Sequence, residues 1–307
     1  MPTAKWMSLN GTLVEYENAK IHAFAGVTKY GAGVFEGIRG YWNADKREMY
    51  VFRLPEHLER LRFGMKVMRL SPLYETAFLE RCLMDVITAN DLREDAHFRI
   101  IAFLDGDVEL HDEGPVGLIV GAVPRTRAKA VENGIGVGIS SWRRISDNAM
   151  PPRVKSVANY VNNRAAEMEA KANGFPAALI LTDRGKVSEG AGACFFMVRD
   201  GKIITPDTSS DILESVTRDT IIRKAREALG YEVIERTIDR TELYLAEEAF
   251  LCGSGWEVVP VTSVDRTALG DGKPGPVTRK VQDYYFDLVY GRIPDHPEWR
   301  TPVFQSK

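Results

Sequence analysis

Apolar residues occur along this chain in two kinds of pattern, one typical of helices and one typical of strands. Residues 54–69 and 75–90 place apolar side chains three or four positions apart, which is the spacing of a helix with one buried face. Residues 97–104 and 116–123 are short, almost continuous apolar runs, which indicate buried strands. The Asn10-Gly11 pair between two alternating segments predicts a hairpin. These patterns predict mixed α and β structure in the first half of the chain.

The second half contains more strand patterns at shorter intervals. Strands are predicted at 135–142, 177–182, 186–190, 194–198, 202–205 and 248–252, and helices at 161–173, 217–229 and 276–290. A polar stretch that begins at Pro124 and is rich in basic residues separates the two halves. We therefore predict an α/β fold, α+β-like in its arrangement, with domains at 1–123 and 135–307 joined by a loop at 124–134.

Three stretches have weaker patterns. Residues 21–29 predict a strand or a loop. Residues 30–41 contain four glycines, which predicts a tight turn with close backbone packing. The residues from Arg292 onward predict irregular structure.

Composition excludes several classes of protein. Hydrophobic residues make up 44%, charged residues 27%, and the net charge is −3, so neither a nucleic-acid surface nor a polybasic membrane segment is indicated. No apolar run approaches the roughly 18 residues of a membrane span, and the N-terminus lacks the apolar segment of a signal peptide. The three widely spaced cysteines and five dispersed histidines predict no disulfide framework and no metal site. We expect a cytoplasmic protein that binds neither membrane nor nucleic acid.

Lys155 is the first candidate for chemistry. Pro151 and Pro152 stiffen the chain just before it, and a helical pattern begins shortly after Tyr160. A lysine held still in a partly dry site has a lowered pKa and can form a Schiff base with a carbonyl group. The alternative is a solvated surface charge, because the chain has 40 lysines and arginines.

Glu189 is the second candidate. It stands in VSEGAGACFF, among small and apolar residues on a predicted strand, where a carboxylate requires a cationic partner. A lysine combined with a buried acid is the set that pyridoxal 5′-phosphate (PLP) requires, because the acid keeps the pyridine nitrogen protonated.

Six ordered segments then resemble a known family. They are YGAGVFEGIR (30–39), EHLERLR (56–62), KSVANY (155–160), SEGAG (188–192), ILESVTRD (212–219) and GSGWEVVPV (253–261). In this order they resemble the fold-type IV (class IV) PLP-dependent aminotransferases, and among these the branched-chain amino acid aminotransferases. The resemblance covers nearly the whole chain.

The resemblance implies a set of site residues. The cofactor would be held by Lys155 as the Schiff-base lysine, Glu189 at the pyridine nitrogen, Tyr160 at the phenolic oxygen, and Arg60, Val216, Thr217 and Ser254 at the phosphate. The substrate would contact Tyr30, Phe35, Gly37, Arg39, Arg99, Gly255 and Trp256. From the residues alone, Arg60 could equally be a surface charge and Thr217 a plain helix cap. The family builds its site at a dimer interface, so the resemblance also implies a homodimer or a higher homo-oligomer.

The implied reaction is a ping-pong transfer of the amino group of leucine, isoleucine or valine to 2-oxoglutarate. The sequence departs from the family pattern at His97, Arg125, Ala128 and Trp256, and also at Cys194 in SEGAGACFF. These departures leave open a pocket that admits aromatic amino acids or (R)-primary amines. Three alternatives to the implied reaction remain: an (R)-amine or D-amino acid transaminase, an enzyme like aminodeoxychorismate lyase, and a non-catalytic binding protein.

Overall fold

The computed structural model describes residues 4–304. The chain forms two compact units. The first comprises residues 4–126, 154–158 and 287–304, and the second comprises residues 127–153 and 159–286. Both Lys155 and the C-terminal residues group with the first unit, which differs from the predicted membership. This grouping does not test which parts fold independently, so the predicted domain boundaries stay a prediction.

In the first unit, seven strands of the described chain form one antiparallel sheet. The strands, numbered in chain order over the whole chain, are β1 (Trp6–Leu9), β2 (Thr12–Glu15), β3 (Gly33–Asn43), β4 (Glu48–Phe52), β5 (Ala96–Leu104), β6 (Val116–Pro124) and β16 (Arg300–Pro302). Their order in the sheet is β16-β4-β3-β5-β6-β1-β2. The helices are α1 (Gly26–Tyr30), α2 (Leu54–Val67) and α3 (Thr76–Ala89), with short 3₁₀ helices at Tyr16–Asn18 and Pro297–Trp299.

Side-chain alternation gives this sheet two different faces. Ile38, Phe98 and Val120 lie on one face and share a buried core with Leu58 and Leu83 of α2 and α3. Successive residues of a strand point to opposite faces, so the odd-numbered residues of β3 and β5 line the other face. That second face carries the predicted substrate residues Phe35, Gly37, Arg39 and Arg99.

The second unit contains the other strands. They are β7 (Ile135–Arg143), β8 (Ala177–Leu181), β9 (Val187–Gly190), β10 (Cys194–Arg199), β11 (Lys202–Thr205), β12 (Val233–Glu235), β13 (Glu248–Gly253), β14 (Glu257–Val264) and β15 (Thr267–Ala268). They form a mixed sheet in the order β12-β11-β10-β13-β14-β7-β8-β9, with β15 paired to β14. The pairs β11–β12, β14–β7 and β7–β8 are parallel. The helices are α4 (Lys129–Asn133), α5 (Asn159–Ala172), α6 (Val216–Glu227) and α7 (Pro276–Val289), with a 3₁₀ helix at Arg240–Leu245. The last three residues of α7 group with the first unit.

Most of the predicted elements and the mixed α/β class are confirmed, and the three weaker stretches differ from the prediction in part. Residues 21–29 end in α1, and residues 33–41 belong to the long strand β3. The glycines of that strand accommodate neighbours: a Cβ on Gly40 would lie 2.6 Å from the Phe98 ring. The tail adds the edge strand β16, which pairs with β4.

Within residues 4–304, no helix has both the length and the apolarity needed to cross a bilayer.

Candidate active site

Lys155 lies on a short extended segment that is hydrogen-bonded to the start of β3. The Phe35 amide donates to the Lys155 carbonyl and the Val157 amide donates to the Gly33 carbonyl, each at 2.9 Å. Gly31 and Gly33 permit this close approach, since a Cβ on Gly31 would lie 3.2 Å from the Ala158 Cβ. The backbone on both sides of Lys155 is therefore fixed, as the prolines before it suggested.

The Lys155 side chain is half-buried, and its surroundings suit a reactive amine. Its Nζ lies 4.9 Å from the centroid of the Phe35 ring, within the range of a cation–π contact. Its positive charge also contributes to the lowered pKa values of His57 and His97. Lys155 thus lies within electrostatic range of both histidines, in the same unit.

Arg60, the predicted phosphate ligand, is held by a buried acid that the sequence reasoning missed. Its Nε and Nη2 donate to the two carboxylate oxygens of Glu36, each at 2.7 Å. Nδ1 of His57 lies 2.7 Å from Oε2 of the same carboxylate and donates to it, because an ionised carboxylate only accepts. Glu36 stands in the apolar strand VFEGI, so the reasoning applied to Glu189 would have found it.

The pKa of Glu36 reflects two opposing effects. Burial alone would raise it, but the charges of Arg60 and His57 and their hydrogen bonds outweigh burial and lower it to about 2. Burial lowers the pKa of His57, against the opposing effect of Glu36. Glu36 is therefore ionised, and it is held between the charged Arg60 and the ring N–H of His57.

A cationic patch lies on the second face of the first sheet. His97 pairs in register with Arg39 across β3 and β5, and Arg99 is flanked by Gly37 and Gly121. Burial, reinforced by the charges of Arg125, Arg99, Arg39 and Lys155, lowers the pKa of His97 to about 3. His97 is therefore neutral, and the positive charge of the patch comes from the arginines.

The other predicted substrate residues of this unit lie close by in the chain. Tyr30 ends α1 and is 38% exposed. Phe35 is half-buried and lies next to the Lys155 amine. Gly37 cannot be enlarged without displacing His97, whose Nε2 would lie 2.9 Å from a new Cβ.

In the second unit, Glu189 lies near the end of β9 and is 5% exposed. Its Oε1 lies 2.9 Å from Nη2 of Arg144. Its Oε2 accepts from the Leu213 amide at 3.1 Å and lies 3.8 Å from the Cys194 thiol sulfur. The cationic partner predicted for Glu189 is therefore Arg144. No pattern in the sequence pointed to it, because Arg143 and Arg144 are adjacent and only the second is buried.

Val216 and Thr217 open helix α6 and are both buried. The helix is capped by Ser215, whose hydroxyl accepts from the Arg218 amide at 3.2 Å, so the cap lies two residues before the predicted helix start. The first amides of a helix have no intrahelical acceptor and attract anions. This end of α6 has the chemistry of a phosphate site.

Ser254, Gly255 and Trp256 form the turn between β13 and β14, closed by a 3.0 Å bond from the Trp256 amide to the Gly253 carbonyl. All three are half-buried. The Trp256 indole packs over Gly192, where a Cβ would lie 3.1 Å from Nε1. Tyr160, also half-buried, is the second residue of α5. Ala128 flanks the start of α4.

The predicted site residues thus form two groups, one in each unit. Lys155, Phe35, Gly37, Arg39 and Arg99 lie on or beside β3 and β5, with Arg60 held from α2. The loop that precedes α6 brings Glu189 and the start of that helix together, because Leu213 bonds to Glu189 just before Ser215. In the described part of the chain, no three metal-binding side chains are grouped closely enough to hold an ion.

The donor sets fit PLP. A half-buried lysine amine suits the aldehyde, and a buried carboxylate suits the ring nitrogen. An arginine held in a fixed orientation and the N-terminus of α6 suit a phosphate dianion.

Residues 33–264 match the family described as amino-transferase class IV, so the chain belongs to the class IV aminotransferases. Within this family it is 38% identical to the branched-chain-amino-acid aminotransferase of Salmonella typhimurium over 98% of both chains. Its structure is similar to that of the branched-chain amino acid aminotransferase from Thermobaculum terrenum in its PLP form, with a TM-score of 0.92 and 41% identity over 99% of both chains. A second similar structure is that of the T.th. branched-chain amino acid aminotransferase complexed with N-(5′-phosphopyridoxyl)-L-glutamate (TM-score 0.91, 36% identity, 98% of this chain and 99% of that one).

These findings confirm the predicted family and fold type. They do not favour the (R)-amine transaminase, the D-amino acid transaminase or the lyase as alternatives.

Proposed function

We propose that this chain is a PLP-dependent transaminase that moves the amino group of leucine, isoleucine or valine to 2-oxoglutarate by a ping-pong mechanism. The observation that carries the proposal is the docking of Lys155 on β3, with its amine beside Phe35, in a chain of the class IV family. The substrate pair is supported by the name of the Salmonella relative and by the glutamate adduct in the T.th. structure.

The cofactor is assigned to a defined set of residues. Lys155 carries PLP, Glu189 accepts from its ring nitrogen, and Tyr160 binds its phenolic oxygen. Arg60, Ser254 and the first residues of α6, Val216 and Thr217, hold its phosphate. When bound, PLP supplies a ring that stabilises the electron pair left on the substrate α-carbon.

The residues of the chain do the rest. The Lys155 amine would act as the base that takes the proton from the α-carbon of the amino acid, and then as the acid that delivers a proton to the C4′ carbon of PLP. The ionised Glu189 favours a protonated ring nitrogen. Arg39 and Arg99 bind substrate carboxylates, with Tyr30, Phe35, Gly37, Gly255 and Trp256 lining the remaining substrate surface.

Absorption spectroscopy tests this proposal. The protein purified with PLP should show a band near the edge of the visible range that bleaches with L-leucine and returns with 2-oxoglutarate. L-Phenylalanine and (R)-1-phenylethylamine, added separately, should bleach it far more slowly. Lys155→Ala should abolish the leucine response. Bleaching by the amine alone would overturn the substrate assignment, and a wild-type protein without any band would overturn the role of Lys155.

We also propose that the protein is cytoplasmic and forms at least a homodimer. The oligomer proposal rests on the resemblance to the family, and the location rests on the few, widely spaced cysteines. Light scattering in line with gel filtration tests the second, because the monomer mass is 34.4 kDa and a peak at that mass would contradict it.

A further inference from the structure

Arg144 is a buried arginine with all three kinds of guanidinium nitrogen engaged. It follows β7, and its side chain is only 4% exposed. Nη2 lies 2.9 Å from Oε1 of Glu189, Nη1 donates to Oδ1 of Asn163 at 2.6 Å, and Nε donates to the Asp211 carbonyl at 3.2 Å. The guanidinium therefore links β9, α5 and the loop that leads into α6.

The position of this charge matters because of what Glu189 would otherwise do. A carboxylate buried without a cation takes up a proton, since burial disfavours its charged form. A protonated Glu189 would keep the proton on its own carboxylate oxygen, so a basic nitrogen that faces it would stay neutral. An ionised Glu189 instead leaves the proton on that nitrogen.

Orientation is fixed as well as charge. Arg144 binds one carboxylate oxygen, while the Leu213 amide binds the other. The same loop accepts from Nε of Arg144 through the Asp211 carbonyl. A planar guanidinium with three anchors holds a carboxylate in one orientation better than a single ammonium group can.

We propose that Arg144 is a positioning residue that keeps Glu189 ionised and fixed in orientation, so that the ring nitrogen of bound PLP stays protonated. This inference rests on the proposed function, in which Glu189 faces that nitrogen. Arg144 would then help to keep the cofactor ring electron-withdrawing, in addition to stabilising the fold.

The decisive readout is the protonation state of the ring nitrogen. The holo protein is loaded with PLP labelled with ¹⁵N in the ring, and the ¹⁵N chemical shift is measured for wild type, Arg144→Gln and Arg144→Lys. We expect a pyridinium shift in wild type and a movement toward neutral pyridine in Arg144→Gln. The half-reaction with L-leucine should slow about tenfold or more in that variant, the change that one pKa unit corresponds to.

Arg300→Gln is the matched control, because Arg300 is also a buried arginine but donates to the Leu288 and Asp295 carbonyls. It should lose stability and keep the pyridinium shift. A pyridinium shift that also survives in Arg144→Gln, together with a similar loss of stability, would make Arg144 purely structural and overturn the inference.

Arg144→Lys keeps the inference testable if the glutamine variant does not fold. Lysine preserves the charge but cannot make all three bonds, so we expect a pyridinium shift with PLP release several times faster. Release at the wild-type rate would contradict the positioning role. Failure of the proposed function gives a different result: wild-type protein that binds no PLP. Wild type that binds PLP with a neutral nitrogen would overturn only the present inference.

Discussion

At the scale of single residues, two buried acids of this chain each lie against an arginine. Glu36 is fully buried between Arg60 and His57, and Glu189 is nearly so beside Arg144. Removing one partner of a buried pair leaves the other charged and dry, which costs more than the pair contributes. The consequence can be measured at Glu36.

Glu36→Gln should lower the free energy of unfolding by about 3–5 kcal/mol at pH 7, because Arg60 stays largely buried without its anion. The folded-state pKa of Glu36 is lowered from 4.5 to about 2. Its stabilising contribution is therefore complete above about pH 4.5 and is lost as the pH falls through about 2. Urea denaturation at pH 7, 5 and 3 should show the difference between wild type and variant shrinking at the lowest pH.

Glu56→Gln is the control for that series. Glu56 accepts from Arg53 at 2.7 Å but is 32% exposed, so its loss should cost less than about 1 kcal/mol. Equal losses for the two variants would contradict a special role for the buried pair.

His97 gives a second pH dependence of the same sign. The pKa of His97 is lowered from 6.5 to about 3 in the folded protein. Between these two pH values, His97 therefore binds a proton in the unfolded chain but not in the folded one. Between pH 6.5 and pH 5 this should cost wild type about 2 kcal/mol of unfolding free energy. His97→Gln should remove that part of the acid loss, whereas His111→Gln, at an exposed histidine, should not. Thermal unfolding at the two pH values tests this prediction. Equal losses of unfolding free energy in wild type and His97→Gln would contradict the role of His97.

At the scale of elements, the glycines around Lys155 determine how the lysine segment docks on β3. Gly31 has a φ of +67°, and a Cβ there would also press on Ala158. Gly185 has a similar φ of +73°, with nothing within 4 Å of an added Cβ. An alanine would therefore strain the backbone similarly at both positions, but only at Gly31 would its Cβ also press on a neighbouring residue.

Gly31→Ala should therefore cost more than Gly185→Ala, which should lose only about 1 kcal/mol from left-handed strain. The Gly31 variant should also react more slowly with L-leucine, because the segment carrying Lys155 is displaced. Melting temperatures and half-reaction rates of both variants test this. Equal stability and unchanged rates would mean that the contact with Ala158 does not hold the lysine.

Elements with strong periodicity could be predicted from the sequence, and elements that depend on distant partners could not. Helix α2 and strand β5 show their buried faces in the spacing of apolar residues. Strand β3 was not predicted over residues 33–41. Its glycines are needed because side chains such as Phe98, which come much later in the chain, pack against them. The edge strand β16 was not predicted for a similar reason, because it forms by pairing with the distant strand β4.

The site shows the same division. Lys155 and Glu189 could be selected from local context, and their roles came from the resemblance. Glu36 was accessible to the same argument and was overlooked. Arg144 was not accessible, because nothing in SSWRR distinguishes the buried arginine from the exposed one beside it.

At the scale of the whole molecule, the first unit is assembled from three distant parts of the chain, residues 4–126, 154–158 and 287–304. Its sheet is completed at one edge by β16. Glu48 is fully buried, and its Oε1 accepts from the amides of Val303 and Phe304 at 2.9 and 2.8 Å. The C-terminal residues thus satisfy a charge that β4 buries about 250 residues earlier.

A chain truncated after Trp299 should therefore lose at least about 3 kcal/mol of unfolding free energy, since hydrogen bonds to a charged group contribute about 1.5–3 kcal/mol each. The truncated chain leaves Glu48 without two amide donors, so Glu48→Gln should be far less damaging there than in the full chain. A double-mutant cycle from urea denaturation of the four proteins measures this coupling. If the truncation and the substitution prove additive, the tail contributes by covering the sheet edge alone, and the long-range hydrogen bonds to Glu48 are not what holds it.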